Sequence, residues 1–260
     1  MSEGQTISVQ NRPLEVRVQG RGPAIVLLHG IQGTADSWAP VADALKERFR
    51  VITPNLRGRG DSYSPEDVGA YDLATFADDL YAVIRWAGEP VLLCGWSMGV
   101  LVSLKFVQMF GTGRLQGLVL ISGTAAPRGE ARWFAAATVP GLVDEAADRA
   151  RRLGLTRCAL PQAVAGSWRC VREQDFRGLL PEVGLPALVV HGTEDDQCPL
   201  SHGEELASRI PGAQGIWLPG LGHNLMREAP GQIADAIAEF GCRRCGLKAE
   251  LHRIAYQDEP

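Results

Sequence analysis

The 260-residue sequence predicts an α/β fold: a mainly parallel, twisted sheet flanked by helices, with one helical insertion. Three observations predict it. Short continuous runs of Val, Ile and Leu recur along the chain, as in parallel strands covered on both faces. Helix-periodic stretches stand between them, the alternation of βαβ units. One interval of about sixty residues, Thr124 to Gly184, is too long to be an ordinary crossover helix.

In chain order, "TISVQ" and "PLEVRVQ" alternate in polarity and read as an antiparallel hairpin. The runs "AIVLLHG" (24–30), "RVITPNL" (50–56), "PVLLCG" (90–95), "LQGLVLIS" (115–122), "PALVVHG" (186–192) and "AQGIWLPG" (213–220) read as strands. Helices are expected over 37–48, 71–87, 98–110, 200–209 and 229–240. In the second of these, Leu73, Phe76, Leu80, Val83 and Ile84 fall on one face. "GLVDEAADRARRLGL" (141–155) reads as an amphipathic helix, with more helix near 160–180. The expected organisation is a core over 1–123 and 185–241, an inserted helical cap over 124–184, and a C-terminal extension over 242–260.

Bulk composition narrows the function classes. An apolar fraction of 45% supplies a core, and 22% charged residues suit a soluble chain. A net charge of −4 gives no sign of nucleic-acid binding. No apolar run approaches the roughly 20 residues that span a bilayer. The polar start "MSEGQTISVQN" does not read as a secretory signal, so a cytoplasmic location is expected. Six cysteines include a lone Cys242-Arg-Arg-Cys245, with only His252 near it. That falls short of the four ligands of a structural zinc site, so no metal is expected.

"GWSMG" (95–99) carries the chemistry. Ser97 stands where a strand turns into a helix, at the carboxyl end of the sheet, where ligands bind in open α/β folds. Gly95 and Gly99 clear the crowded turn, so the serine can project from a strained backbone: a nucleophile elbow. A serine hydroxyl needs a base and an orienting acid. "HGTEDDQCP" (191–199) offers Asp195 just past a strand, in competition with Glu194 and Asp196. "GLGH" (220–223) offers His223 after the last strand.

Together with "HGIQGTADSW" (29–38) and "NLRGRGDS" (55–62), these segments resemble the α/β-hydrolase superfamily over about residues 6–240. The second of these departs from the family's usual Asp at its first position, which here is Asn55, a position not normally catalytic. The resemblance implies a serine hydrolase acting on a carboxylic ester or lactone through an acyl-enzyme, with Ser97, Asp195 and His223 as the triad. It also implies an oxyanion hole formed by the backbone N–H groups of Ile31 and Met98, with no metal and no organic cofactor. An acyltransferase, a cofactor-free haloperoxidase-like enzyme or a non-catalytic ligand receptor would share these motifs. "GWSMG" is also similar to the elbow of carrier-protein methyl-ester esterases.

Other residues have plainer readings. His29 braces the loop after its strand, His191 packs, His202 and His252 are surface residues, and Cys94 is a small buried apolar group. Trp96, Trp133, Phe134 and Trp168 are the candidates to wall the substrate pocket, while packing between cap and core is the equally open, and for any one cap aromatic the favoured, reading. The interval 124–184 holds nine arginines and seven carboxylates, a balance of +2. The spacings Glu145–Arg149 and Asp148–Arg152 suit i,i+4 ion pairs on a helix surface. Attraction of an anionic substrate or an acidic carrier protein is the alternative reading of that charge.

Overall fold

The computed structural model describes residues 3–9, 11–127 and 133–245. Its strands are β1 (Glu3–Val9), β2 (Arg12–Gln19), β3 (Ala24–Leu28), β4 (Arg50–Pro54), β5 (Val91–Trp96), β6 (Leu115–Ile121), β7 (Ala187–Gly192) and β8 (Gln214–Leu218). They form one sheet in the order β1-β2-β4-β3-β5-β6-β7-β8. β1 and β2 are an antiparallel hairpin, β2 pairs antiparallel with β4, and every later pairing is parallel.

Every residue of β3 is buried, because both faces of the sheet are covered. Its side chains alternate between two apolar clusters. Ala24, Val26 and Leu28 join one, and Ile25 and Leu27 the other, as the two-residue period of a strand requires. On the first face lie α2 (Leu73–Ala87), α3 (Met98–Phe110) and α6 (Leu200–Arg209). On the second lie α1 (Ala39–Leu45) and α8 (Pro230–Cys245). α2 begins where Asp72 accepts the Thr75 N–H (2.7 Å), and it ends at Gly88 in the left-handed region (φ 79°). Its buried face carries the five residues that the periodicity selects.

Between the neighbouring strands β6 and β7 run two helices, α4 (Val139–Arg152) and α5 (Pro161–Val171). Each has a proline in its first turn, where a missing N–H costs nothing. α4 is the outer helix and buries little beyond Leu142 and Ala146. α5 is packed between it and the core, with Ala163 to Trp168 and Val171 buried.

Several expectations are corrected. The first helix is shorter than 37–48, because a 3-10 turn (Ala35–Trp38) precedes it and Pro40 sets its start. A short helix, α7 (Leu225–Glu228), follows His223. α8 runs through Cys245, so the boundary at 241/242 falls within a helix, and Cys242 is packed in the core at 2% exposure. His202 is buried rather than on the surface, at 8% exposure. The i,i+4 pairs on α4 do not form. Glu145 instead accepts the Ala135 and Ala136 N–H groups, and Asp148 pairs with Arg151. His252 and the rest of 246–260 lie outside the described residues.

Candidate active site

The turn from β5 into α3 holds Ser97 at φ 56°, ψ −119°, a conformation that L-residues avoid. Two hydrogen bonds fix it there: Ser97 N–H to Ile121 O (2.9 Å) and Val100 N–H to Ser97 O (2.9 Å). A Cβ at position 95 would lie 2.4 Å from Gly99 O, and one at 99 would lie 2.7 Å from Leu28 O. Only glycine fits either place. The loop after β3 also comes close, though less so, since a Cβ on Gly30 would meet the Ser97 Cβ at 3.2 Å. This brings the backbone of Gly30 and Ile31 beside the serine.

Ser97, His223 and Asp195 form one hydrogen-bonded chain. His223 Nε2 lies 3.0 Å from Ser97 Oγ, and Nδ1 lies 2.9 and 3.0 Å from the two Asp195 carboxylate oxygens. A carboxylate only accepts, so Nδ1 carries the hydrogen and Nε2 is left to accept the serine proton. All three residues are buried. Glu194 and Asp196 are exposed, and of the three acids only Asp195 points inward, at 5% exposure.

Asp195 is heavily supported. It accepts the Gln197 N–H (2.9 Å) and the Cys198 N–H (2.8 Å), and His191 Nε2 lies 3.4 Å from it while bonding Cys198 O at 2.7 Å. Burial works to raise its pKa. Donation from His191 and His223, the His223 charge and the Cys198 N–H outweigh that, and the carboxyl is held well below its usual range. His191 therefore does more than pack. Its signal in the sequence was its place four residues before the acid, at a strand end. His29 does brace its loop: it bonds Gly30 O at 2.9 Å and accepts the Leu56 N–H at 3.2 Å. Burial, then the Arg59 charge, push it down to about 3, so it stays neutral.

The serine and histidine open onto a cleft of about 230 Å³. Trp96 and Trp133 line it. Trp96 also donates from Nε1 to His223 O (3.0 Å), which holds the histidine loop. Phe134 and Trp168 are not among the lining residues. They pack behind Trp133, tilted in Trp133–Trp168 (ring centroids 5.3 Å apart) and edge-on in Phe134–Trp168 (6.0 Å), and are buried in the apolar cluster that the inserted helices share with the core.

Sequence reasoning missed the polar side chains that tie the inserted segment to the site. Gln32 donates to Ala146 O (2.9 Å). The buried Arg59 donates to Ile31 O (2.7 Å) and to Ser167 Oγ (3.1 Å). Gln197 O accepts from Trp133 Nε1 (3.2 Å), and Gln197 Oε1 accepts from Arg149 (2.6 Å). Asn55 is structural, joining Ala35 N–H to Glu15. Among the described residues no group of His, Cys, Asp and Glu is arranged to hold a metal ion.

The model of the α/β-hydrolase family matches residues 25–236. The chain belongs to the α/β-hydrolase family. Among its α/β-hydrolase relatives, a putative non-heme chloroperoxidase of Synechocystis sp. is 28% identical, over 85% of this chain and 92% of that protein. The pimeloyl-[acyl-carrier protein] methyl ester esterase of Methylococcus capsulatus is also 28% identical, over 75% of this chain and 85% of the other. Among solved α/β hydrolases, the esterase RhEst1 from Rhodococcus sp. superimposes with a TM-score of 0.74 at 27% identity, covering 92% of this chain and 98% of that one. No helix among the described residues is long and apolar enough to cross a membrane.

Proposed function

We propose that this α/β hydrolase cleaves a carboxylic ester or lactone through an acyl-enzyme on Ser97. The observation that carries the reading is the Ser97–His223–Asp195 hydrogen-bonded chain, mounted on a strained turn at the floor of the cleft. His223 Nε2 takes the hydroxyl proton as Ser97 Oγ attacks the carbonyl carbon, and Asp195 stabilises the imidazolium that forms. The N–H groups of Ile31 and Met98 receive the oxyanion, with the N-terminus of α3 adding its dipole. His223 then protonates the leaving alcohol. A water, deprotonated by the same nitrogen, attacks the acyl carbon and releases the acid. Every proton and electron pair moves between substrate, water and these groups.

The helices between β6 and β7 act as a cap in this reading, because they close the cleft opposite Ser97. The substrate is a small molecule held between Trp96 and Trp133. Relatives named as esterases support ester cleavage over the other reactions run on this fold. A fluorophosphonate probe tests the reading. Labelling should map to Ser97 alone, and a series of methyl esters and lactones of graded length should be turned over. An unlabelled Ser97 in folded protein that turns over none of them would sink it.

A further inference from the structure

The cleft carries a charge pattern that ester cleavage does not need. Among the described residues, two arginines line it, Arg149 and Arg157, and no aspartate or glutamate does. This occurs in a chain of net charge −4. The other lining side chains include Ile31, Leu153 and Leu155, which are apolar.

Arg149 is the sharper case. It is half-buried, on the last turns of α4. Its guanidinium donates to Gln197 Oε1 (2.6 Å) and Trp133 O (3.3 Å) and lies over the Phe134 ring, 5.4 Å from its centroid. All of these partners are neutral. The acid at i−4, Glu145, is taken by the Ala135 and Ala136 N–H groups, and Asp148 by Arg151. No described carboxylate forms an ion pair with Arg149. Burial, then the charge of Arg152, lower its hold on its proton, against the pull of Asp196 and Glu145. A desolvated cation without a counter-ion is costly, and an anion brought to it relieves that cost. Arg157 is already engaged: its Nε lies 3.2 Å from Asp36, although that carboxylate is shared with Arg17.

We infer that the substrate carries, besides the scissile ester or lactone, a second group that is a carboxylate, joined through an apolar spacer and bound by Arg149. This rests on the ester-cleaving reading above. A carboxylate fits better than a multiply charged anion, because one lining arginine lacks an acidic partner and the other has Asp36. A planar guanidinium fork matches a carboxylate's two oxygens. Gln197 holds that fork on the loop that carries Asp195, so it stands at a fixed place relative to Ser97. Leu153, Leu155 and Trp133 offer the spacer an apolar wall.

The test compares methyl esters of linear dicarboxylic acids, with two to six methylenes and one free carboxylate, against methyl alkanoates of equal length. Wild-type kcat/KM should favour the carboxylate member at one spacer length by about tenfold or more, as for a charge-assisted hydrogen bond. That preference should shrink as salt is raised. Arg149→Gln should abolish the ratio, and Arg149→Lys should keep part of it. A merely structural Arg149 would lower both kcat/KM values alike and leave the ratio intact, which would overturn the inference, as would a wild type with no preference. Calorimetry on Ser97→Ala protein reads the same site without turnover. The half-ester should bind there about tenfold more tightly than the alkanoate ester, and equal binding also overturns the inference. Neutral esters hydrolysed without preference would leave the esterase reading standing. Selective half-ester binding without turnover of any ester, and without Ser97 labelling, would fail that reading while keeping the carboxylate site.

Discussion

The turn at Ser97 and the helices between β6 and β7 face the same cleft, but different physics holds them. The turn is a backbone object. Its shape follows from hydrogen bonds to Ile121 and Val100 and from contacts so close that positions 95 and 99 admit only glycine. The inserted helices are a side-chain object. Trp133 and Phe134 pack tilted and edge-on against Trp168, Gln32 and Arg59 reach from strand-end loops to Ala146 and Ser167 of the inserted helices, and Arg149 reaches back to Gln197. Backbone constraints fix where reacting atoms sit to within tenths of an ångström. Side-chain packing fixes the shape of a wall and tolerates many solutions. Chemistry placed on the first and selectivity on the second can vary separately.

The largest expected effects lie on the turn and on the acid that orients its histidine. Ser97→Ala should lower kcat for ester hydrolysis by about 10⁶ without loss of stability, and Asp195→Asn by about 10⁴, in steady-state assays of purified protein. Glu194→Gln and Asp196→Asn, both exposed, should leave kcat within about threefold; a neighbour that costs more than Asp195 would move the acid. The comparison would break if Ser97→Ala unfolded the protein, since the turn would then depend on its side chain.

Trp168→Ala sharpens the other side. It removes a buried ring between the inserted helices and the core, so denaturant unfolding should show about 3 kcal/mol less stability. Selectivity among esters should shift more than the reactivity of Ser97 toward a small fluorophosphonate. Equal loss of both would mean that the helices position the serine after all.

The smallest effect is a pH slope. His29 holds its proton far less well in the folded protein, at about 3 against an ordinary 6.5, because of burial and then Arg59. Unfolded chain therefore takes up a proton as pH falls below 6.5 while folded chain does not. Stability falls by about 1.4 kcal/mol per pH unit once well below 6.5, until the folded group itself titrates near 3. Denaturation at pH 6.5 and 5.5 should show a shallower loss for His29→Gln than for wild type. An identical slope would mean that His29 is not held neutral by its burial.

The same contrast explains what the sequence made legible. Strands, the elbow and the convergence of Ser97, Asp195 and His223 could be read because each rests on a local rule: apolar runs, glycines at a sharp turn, polar residues just past strand ends. Arg149 misled because helix spacing offered it Glu145, while the fold spends that carboxylate on two N–H groups of the preceding loop. For Phe134 and Trp168 the sequence left pocket wall and packing surface both open, because an aromatic ring looks the same in sequence whether it faces a cavity or a neighbour. Gln32, Gln197 and Arg59 carried no signal for these ties, since the partners in them lie 28 to 114 residues away and only the assembled fold supplies them.

Gln197 has a practical consequence. The inserted helices leave β6 and return to β7, two strands that lie side by side, so their ends look like the two sutures of an easily exchanged graft. There is a third suture. Through its backbone N–H Gln197 holds Asp195, through its carbonyl it holds Trp133, and through its side chain it holds Arg149. A segment transplanted from another hydrolase to change substrate range would cut two of those ties and loosen the acid's loop. A successful donor must therefore bring its own groups for residue 197, or the recipient loop must be replaced with it.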